Sequence, residues 1–429
     1  MLELARVAAP VVRDSQAGAR ASALLSELLA ARRSSPEEAE QLSRLTYGAL
    51  RRARRVQVAL REAGSELDAG ELPLALVLGA ALLEGSADVT AARELLDIGW
   101  QRFVAEDARA LERAQGAARV ALLGSLPDWL AARLFDEYGE QADALAASLS
   151  QPAPRSLRVN ALAADVETAL ERLSAEGAQV FRGKLGRRAL RLEGAFNPFV
   201  TRAFHDGLFE LQDEGSQIVC ELVAPPPRGL VVDACAGAGG KTLSLAAQLE
   251  GRGRVVACDI DEGKLAELRR RAKRAGAVNV QALALEPSGA LPEAAAAFAG
   301  KVERLLIDAP CSGTGVLRRN PETRARLTAE AVERLARTQR EIIERMLPLL
   351  APGGRLIFAT CSLLRAEGET LLDEVEAAHP ELQPVNLAEI YDRAYVDRFT
   401  RSAPHRLRLL PHLHDSDGFF VTCLRKRRA

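Results

Sequence analysis

Gly229-Leu-Val-Val-Asp-Ala-Cys-Ala-Gly-Ala-Gly-Gly-Lys-Thr-Leu-Ser-Leu-Ala-Ala-Gln-Leu249 reads as a strand, a glycine-rich turn and a helix. The apolar run 229–233 is predicted as the strand and 241–249 as the helix. Glycine at 237, 239 and 240 lets backbone amides come close to a ligand at the start of that helix. The string Gly-Gly-Lys-Thr invites a phosphate-loop reading, but that loop needs a glycine where Cys235 stands. A second predicted strand, 254–259, ends on Asp259, whose carboxylate is suited to accept both hydroxyls of a ribose. The turn and the acid alone do not choose between NAD and S-adenosylmethionine.

Downstream, the apolar pattern keeps alternating between two periods. Predicted helices cover 262–275, 329–350 and 367–378, and predicted strands cover 303–308, 355–360 and 419–424. Strand and helix in alternation argue for a doubly wound α/β sheet, Rossmann-like, with its ligand at the carboxyl ends of the strands. Two of those ends carry cysteine. Cys311 lies in Leu305-Leu-Ile-Asp-Ala-Pro-Cys-Ser-Gly-Thr-Gly315, and Cys361 in Arg355-Leu-Ile-Phe-Ala-Thr-Cys-Ser362. An isolated cysteine at a strand end is usually a buried apolar group. Two of them in matched settings, both after a cofactor turn, point to thiol chemistry, in which a thiolate attacks and a second thiol assists release.

This constellation resembles the Nop/Sun family of RNA cytosine-5 methyltransferases. The resemblance implies S-adenosylmethionine as cofactor, Cys361 as the nucleophile and Cys311 as the release-step thiol. It implies that Asp308 holds the ring nitrogen and exocyclic amine of cytosine, and that Lys241 orients substrate or activates a thiol. The cofactor would be held by 235–241 (Cys235, Ala236, Gly237, Ala238, Gly239, Gly240 and Lys241), with Asp259, Asp308 and Glu286. The family usually has Cys-Ala-Ala-Pro-Gly-Gly-Lys at the turn, so this chain replaces Ala-Pro with Gly237-Ala238 and keeps the glycines and the lysine. After the third strand it has Leu283-Ala-Leu-Glu-Pro287 in place of the usual Gly-Asp, which makes Glu286 the nearest acid. After Cys361 it has Arg365-Ala-Glu-Gly368 where Pro-Glu-Glu-Asn is common. Val316-Leu-Arg-Arg-Asn-Pro321 and Asp417-Gly-Phe-Phe420 fit the family, as do Leu211–Gln217 and Gln339, which are read as packing and contact residues. Cys220, Cys258 and Cys423 are read as core, and Cys235 as packing in the turn.

The 429 residues allow two or three domains. Residues 1–145 are predicted all-helical, with Leu42, Leu45, Leu50 and Val56 at helical spacing. That stretch resembles the NusB-like RNA-binding fold, which one bacterial 16S rRNA methyltransferase of the family carries at its N-terminus. Residues 146–208 are predicted as a small α+β domain similar to an RNA-recognition sheet, and 209–429 as the methyltransferase domain. Net charge is −1. Residues 1–145 hold 17 Arg and Lys against 22 Asp and Glu, which leaves 40 against 36 for the remainder. Phosphate contacts are therefore expected mainly after residue 145. The clusters Arg51–Arg55 and Arg269–Arg274 are either such contacts or solvated helix faces. The six cysteines contain no CxxC pair, and neither a charged-then-apolar leader at Met1 nor an apolar run of membrane length is expected. The expected partner is RNA, 16S rRNA first, for a cytoplasmic monomer without a membrane or a metal. A tRNA or another rRNA site, and a non-catalytic ribosome-assembly factor, are the alternative readings.

Overall fold

The computed structural model describes residues 2–428. Two compact units divide the chain, Met1–Ala153 with Val316–Ala329, and Pro154–Gly315 with Glu330–Ala429.

The first unit is all-helical. Its central helix, Pro36–Glu62, starts where Ser35 accepts a hydrogen bond from the Glu38 backbone N–H at 3.2 Å, with Pro36 in the first turn. Its buried face meets helix Leu72–Leu83 so closely that a Cβ at Gly79 would lie 2.6 Å from Val56 Cγ1. Trp100 and Phe103 close this core edge to face, with ring centroids 5.4 Å apart. The Arg51–Arg55 cluster is not a solvated face. Arg51 and Arg52 are buried, and Arg55 donates twice to Asp107 at 2.7 Å. The segment Val316–Ala329 belongs to this unit through Arg324, whose guanidinium donates to the carbonyls of Gly124 (3.1 Å), Leu149 (2.7 Å) and Leu317 (2.9 Å). Burial, with the charges of Arg51 and Arg52, pushes Arg324 down to about 9.

The second unit contains both sheets. The smaller one joins β1 (Arg155–Val159), β2 (Gln179–Arg182), β3 (Ala189–Glu193) and β4 (Phe209–Leu211) in the antiparallel order β2-β3-β1-β4. Its apolar face, including Leu157, Val159, Leu190 and Phe209, is covered by helix Val166–Ala175 through Ala169 and Leu173. The sheet extends to Leu211, three residues beyond the boundary expected at 208. Glu214 is fully buried behind it and accepts from the Leu185 N–H and from Arg191 Nε, both at 2.6 Å.

The larger sheet contains β5 (Leu230–Asp233), β6 (Arg254–Asp259), β7 (Val280–Ala284), β8 (Val302–Asp308), β9 (Leu350–Thr360), β10 (Leu382–Pro384), β11 (Thr400–Ala403), β12 (Arg406–Leu409) and β13 (Phe419–Lys426). The order is β11-β12-β13-β9-β8-β5-β6-β7, with β10 beside β13. Strands β5 to β9 are parallel, and β13 runs against β9. Their cores are runs of Val, Leu and Ile because helices cover both faces. Chain order reverses between β5 and β8, and at such a switch point the carboxyl ends of the strands open a crevice.

The helix expected over 329–350 stops at Met346, because Pro348 cannot continue the ladder and restricts Leu347 before it. The helix expected from 367 starts at Glu369, after a turn of 3₁₀ helix at Arg365–Glu367.

Candidate functional site

The turn after β5 is built on conformations that side chains resist. Gly237 and Gly239 have φ of +54° and +88°. A Cβ on Gly239 would lie 2.7 Å from Leu268 Cγ, whereas one on Gly237 would meet nothing within 4 Å. Asp259 holds the turn from the end of β6. Its carboxylate accepts the Gly237 N–H at 2.7 Å and the Asp261 N–H at 2.9 Å.

A cavity of about 1240 Å³ opens beside this turn. Its polar wall includes Cys235, Gly237, Asp259 and Asp308. Ile260, Leu285, Pro287 and Leu291 give it an apolar side, and Thr338, Ile342 and Arg345 of helix Ala329–Met346 close it. An apolar slot with a carboxylate at its rim and an open glycine turn at one end suits a nucleoside with a charged tail. Ala236, Ala238, Gly239, Gly240 and Lys241 belong to the turn but do not line the cavity. Glu286 is exposed, and it is its neighbours Leu285 and Pro287 that line the cavity.

Lys241 reaches across to β8. Its Nζ lies 2.6 Å from Asp308 Oδ2 and 5.3 Å from the centre of the Phe419 ring. Burial opposes the ammonium, but Asp308, with Cys220 and Cys361, more than offsets it and the Lys241 pKa is raised. Beneath the pair, Asp233 is fully buried and accepts from Thr242 Oγ1 at 2.7 Å. Burial first, and then the charge of Asp308, pushes Asp233 up to about 7. Cys235, above it, is raised well beyond the usual thiol range by burial and by the charges of Asp233, Asp308 and Asp259.

The two motif cysteines, fifty positions apart, meet. Cys311 Sγ is 3.3 Å from Cys361 Sγ. The contact with Cys361 and burial hold Cys311 well above the usual thiol range, so it keeps its proton. Either sulfur can donate in this contact. The loops that carry them are fastened below by motif residues next to the cysteines and by Gln339 and Glu367, for which no sequence motif signals a joining role. Glu367, fully buried, accepts from the Ser312 backbone N–H (2.8 Å), the Ser312 hydroxyl, the Ser362 hydroxyl (2.6 Å) and Gln339 Nε2 (3.0 Å). Gln339 also donates to the Pro310 carbonyl at 2.9 Å. Thr314 Oγ1 accepts the Leu363 N–H at 2.8 Å. Gly315 donates to the Cys361 carbonyl at 3.0 Å, and a Cβ there would fall 2.2 Å from the Gly418 carbonyl oxygen. A serine after each cysteine was the available signal. The departure at Arg365–Gly368 hid the acid that joins them.

Cys220, Cys258 and Cys423 are buried away from this pair. Among the described residues no helix is long and apolar enough to cross a membrane. The Arg269–Arg274 cluster divides. Arg269 and Arg270 pair with Glu262 and Glu267 on the surface, while Arg271 and Arg274 pair with buried Glu210.

Residues 220–425 match the family described as 16S rRNA methyltransferase RsmB/F, and residues 126–198 match the ferredoxin-like domain of RsmF/B-like methyltransferases. The probable ribosomal RNA small subunit methyltransferase B of Bacillus subtilis (strain 168) is 32% identical over 312 residues, which is 72% of this chain and 68% of the relative. The ribosomal RNA small subunit methyltransferase B of Xylella fastidiosa (strain Temecula1) is 33% identical over 345 residues, 80% of this chain and 76% of the relative. The crystal structure of a methyltransferase homolog protein from Pyrococcus horikoshii superposes with a TM-score of 0.61 at 28% identity, covering 73% of this chain and 99% of that one.

Proposed function

Because the chain belongs to the RsmB/F family of 16S rRNA methyltransferases, we propose that it methylates carbon-5 of a cytosine in 16S rRNA through a covalent cysteine adduct. The observation that carries this reading is the 3.3 Å approach of Cys311 and Cys361 at strand ends beside the paired Lys241 and Asp308. S-adenosylmethionine, when bound, supplies an electrophilic methyl group. Asp259 and the open turn at 235–241 hold its ribose and tail, and the wall from Ile260 to Leu291, rather than Glu286, takes its base.

Carbon-5 of cytosine is a poor nucleophile. Cys361 forms a bond to carbon-6, and the electron pair of the carbon-5–carbon-6 double bond moves into the ring. Asp308, fixed by Lys241, accepts from the exocyclic amine and, carrying a proton in that step, donates to the ring nitrogen, which takes up the developing charge. Carbon-5 then bonds to the methyl group, whose bond to the sulfonium sulfur would break and leave that sulfur as a neutral thioether. A base takes the carbon-5 proton, the sulfur–carbon-6 bond breaks, and the double bond returns. Cys311, in contact with Cys361, serves this release. A base stacked in a helix cannot be reached on both faces, so the target is single-stranded or flipped out. In this reading 1–145 and 146–208 guide the RNA to the domain 209–429, and the protein works as a cytoplasmic monomer.

The test is methyl transfer by the purified protein to naked and partly assembled 16S rRNA, with the product located by bisulfite sequencing. Label on cytosine carbon-5 of 16S rRNA is expected. Methylation of tRNA alone would move the reading to a tRNA enzyme. Absence of S-adenosylmethionine binding by calorimetry would leave an RNA-binding assembly factor.

A further inference from the structure

At the amino-terminal edge of the parallel strands, opposite the thiols, a second cleft of about 680 Å³ lies within the same unit. It is lined by Arg304, Arg355, Arg425, Lys426, Arg427 and Arg428, against two carboxylates, Glu303 and Glu389. Both acids are engaged. Glu303 accepts the Leu230 N–H at 3.0 Å, and Glu389 pairs with Arg425 at 3.2 Å.

The cleft has a floor and a rim. Arg304 donates to the carbonyls of Val223 (3.0 Å), Ala224 (3.1 Å) and Glu303 (2.8 Å), and Arg355 Nη2 donates to Ala224 at 3.0 Å. These two satisfy the last carbonyls of helix Glu214–Val223, which explains their burial without a ligand. Their charges still crowd, since burial and the neighbouring Arg355 push Arg304 down to about 10. The rim has no such explanation. Arg425, Arg427 and Arg428 are exposed, and Arg427 and Arg428 form no ion pair among the described residues. Arg428 lies over the turn at Gly353, where a Cβ would come within 3.1 Å of its Nε. Stacking more positive charge on a floor that is already cationic costs energy in the free protein, and a bound anion removes that cost.

We infer that this cleft binds the phosphodiester backbone of a second segment of the RNA substrate, remote from the target base. The inference rests on the RNA reading proposed above. From Arg355 to Cys361 along β9 is about 20 Å at roughly 3.3 Å per residue, so the RNA held here is a different part of a folded substrate from the nucleotide at the thiols. Phosphate contacts of this kind position an RNA and carry no sequence information.

The full chain carrying Arg425→Gln, Arg427→Gln and Arg428→Gln tests it, with an in vitro transcript of 16S rRNA as probe and salt varied from about 50 to 200 mM. The slope of log affinity against log salt is expected to fall by about two, with roughly tenfold weaker binding at low salt. KM for RNA should rise by a similar factor, while turnover at saturating RNA and S-adenosylmethionine binding stay within twofold. The corresponding triple Lys variant should keep the slope, since it keeps the charge. An unchanged slope in the Gln variant, with wild type binding and methylating normally, overturns the cleft and leaves the enzymatic reading intact. A wild type that binds the transcript without methylating it overturns the enzymatic reading, and the slope still decides the cleft. A wild type that does not bind overturns both.

Discussion

Glu367 accepts the Ser312 backbone N–H at 2.8 Å although 55 positions separate them in sequence. The same carboxylate takes the Ser362 hydroxyl at 2.6 Å, so one buried side chain ties down the residue after each motif cysteine. The spacing of the two sulfurs is thus set from below by an acid that touches neither. Glu367→Ala would leave the Ser312 N–H without its acceptor in a dry site, at about 1–3 kcal/mol, and would loosen Gln339 and two hydroxyls, which keep only the Pro310 carbonyl and one another with Thr314. The variant should melt several degrees lower by calorimetry. Glu367→Gln, which fills the space but disturbs the donor pattern, should cut methylation more than tenfold with S-adenosylmethionine affinity nearly unchanged. Full turnover in the Gln variant would show that the clamp does not position the thiols.

Asp233 gives the fold a pH dependence of known sign. Its folded pKa of about 7 lies above the ordinary carboxylate value of 3.8. Between those values the folded state binds the extra proton, so this group's contribution to stability falls as pH rises through that window. Asp233→Asn can still accept from Thr242 and carries no charge to bury. It should therefore match wild type near pH 4 and gain on it up to about pH 7, at about 1.4 kcal/mol for each pH unit crossed. Urea denaturation at pH 5 and pH 8 checks this. A difference that is flat with pH would mean that Asp233 is already charged in the fold.

Lys241 and Asp308 are paired but unequally shielded, with side chains 12% and 27% exposed. Removing the partner of the more buried charge is the more damaging change. Asp308→Ala should therefore destabilise more than Lys241→Met, and a double-mutant cycle should return a coupling of about 1–3 kcal/mol. Both variants should lose methylation. The reverse order of stabilities would mean that water reaches Lys241 more readily than its burial indicates.

The parts of this architecture that are legible in the sequence are those where chemistry repeats at short range. The strand, turn and helix at 229–249, Asp259 at the end of β6 and the two thiol loops each announce themselves within a dozen residues. The illegible parts are long-range compensations. Strand β12, Arg406-Leu-Arg-Leu409, reads as a half-exposed strand at best, yet Arg406 and Arg408 are buried. They are tolerated because Asp373, Glu376 and Glu369 on one helix neutralise them, with Arg406 at 2.7 Å and 2.6 Å from the first two and Arg408 Nε at 2.7 Å from the third. Three-residue strands such as β4 and β10 are too short to show a period. Glu286 stands out in sequence by its place after a strand, and no local pattern reveals that its neighbours Leu285 and Pro287 line the cavity instead.

The contact between the sulfurs leads to the sharpest expectation, because the proposed mechanism gives them different work. Cys311 keeps its proton and faces Cys361 across 3.3 Å. Cys361→Ser should abolish both methylation and any covalent RNA adduct, since a hydroxyl is far too weak an acid to attack the ring at neutral pH. Cys311→Ser should still attack and transfer methyl but stall at release, so a protein–RNA adduct that survives denaturing electrophoresis should accumulate. RNA containing 5-fluorocytosine, whose fluorine blocks elimination, should trap wild type as well and leave Cys361→Ser untrapped. If Cys311→Ser loses the adduct while Cys361→Ser keeps it, the roles are exchanged and Cys311 is the nucleophile. If turnover survives both substitutions, the pair is structural and the covalent mechanism fails.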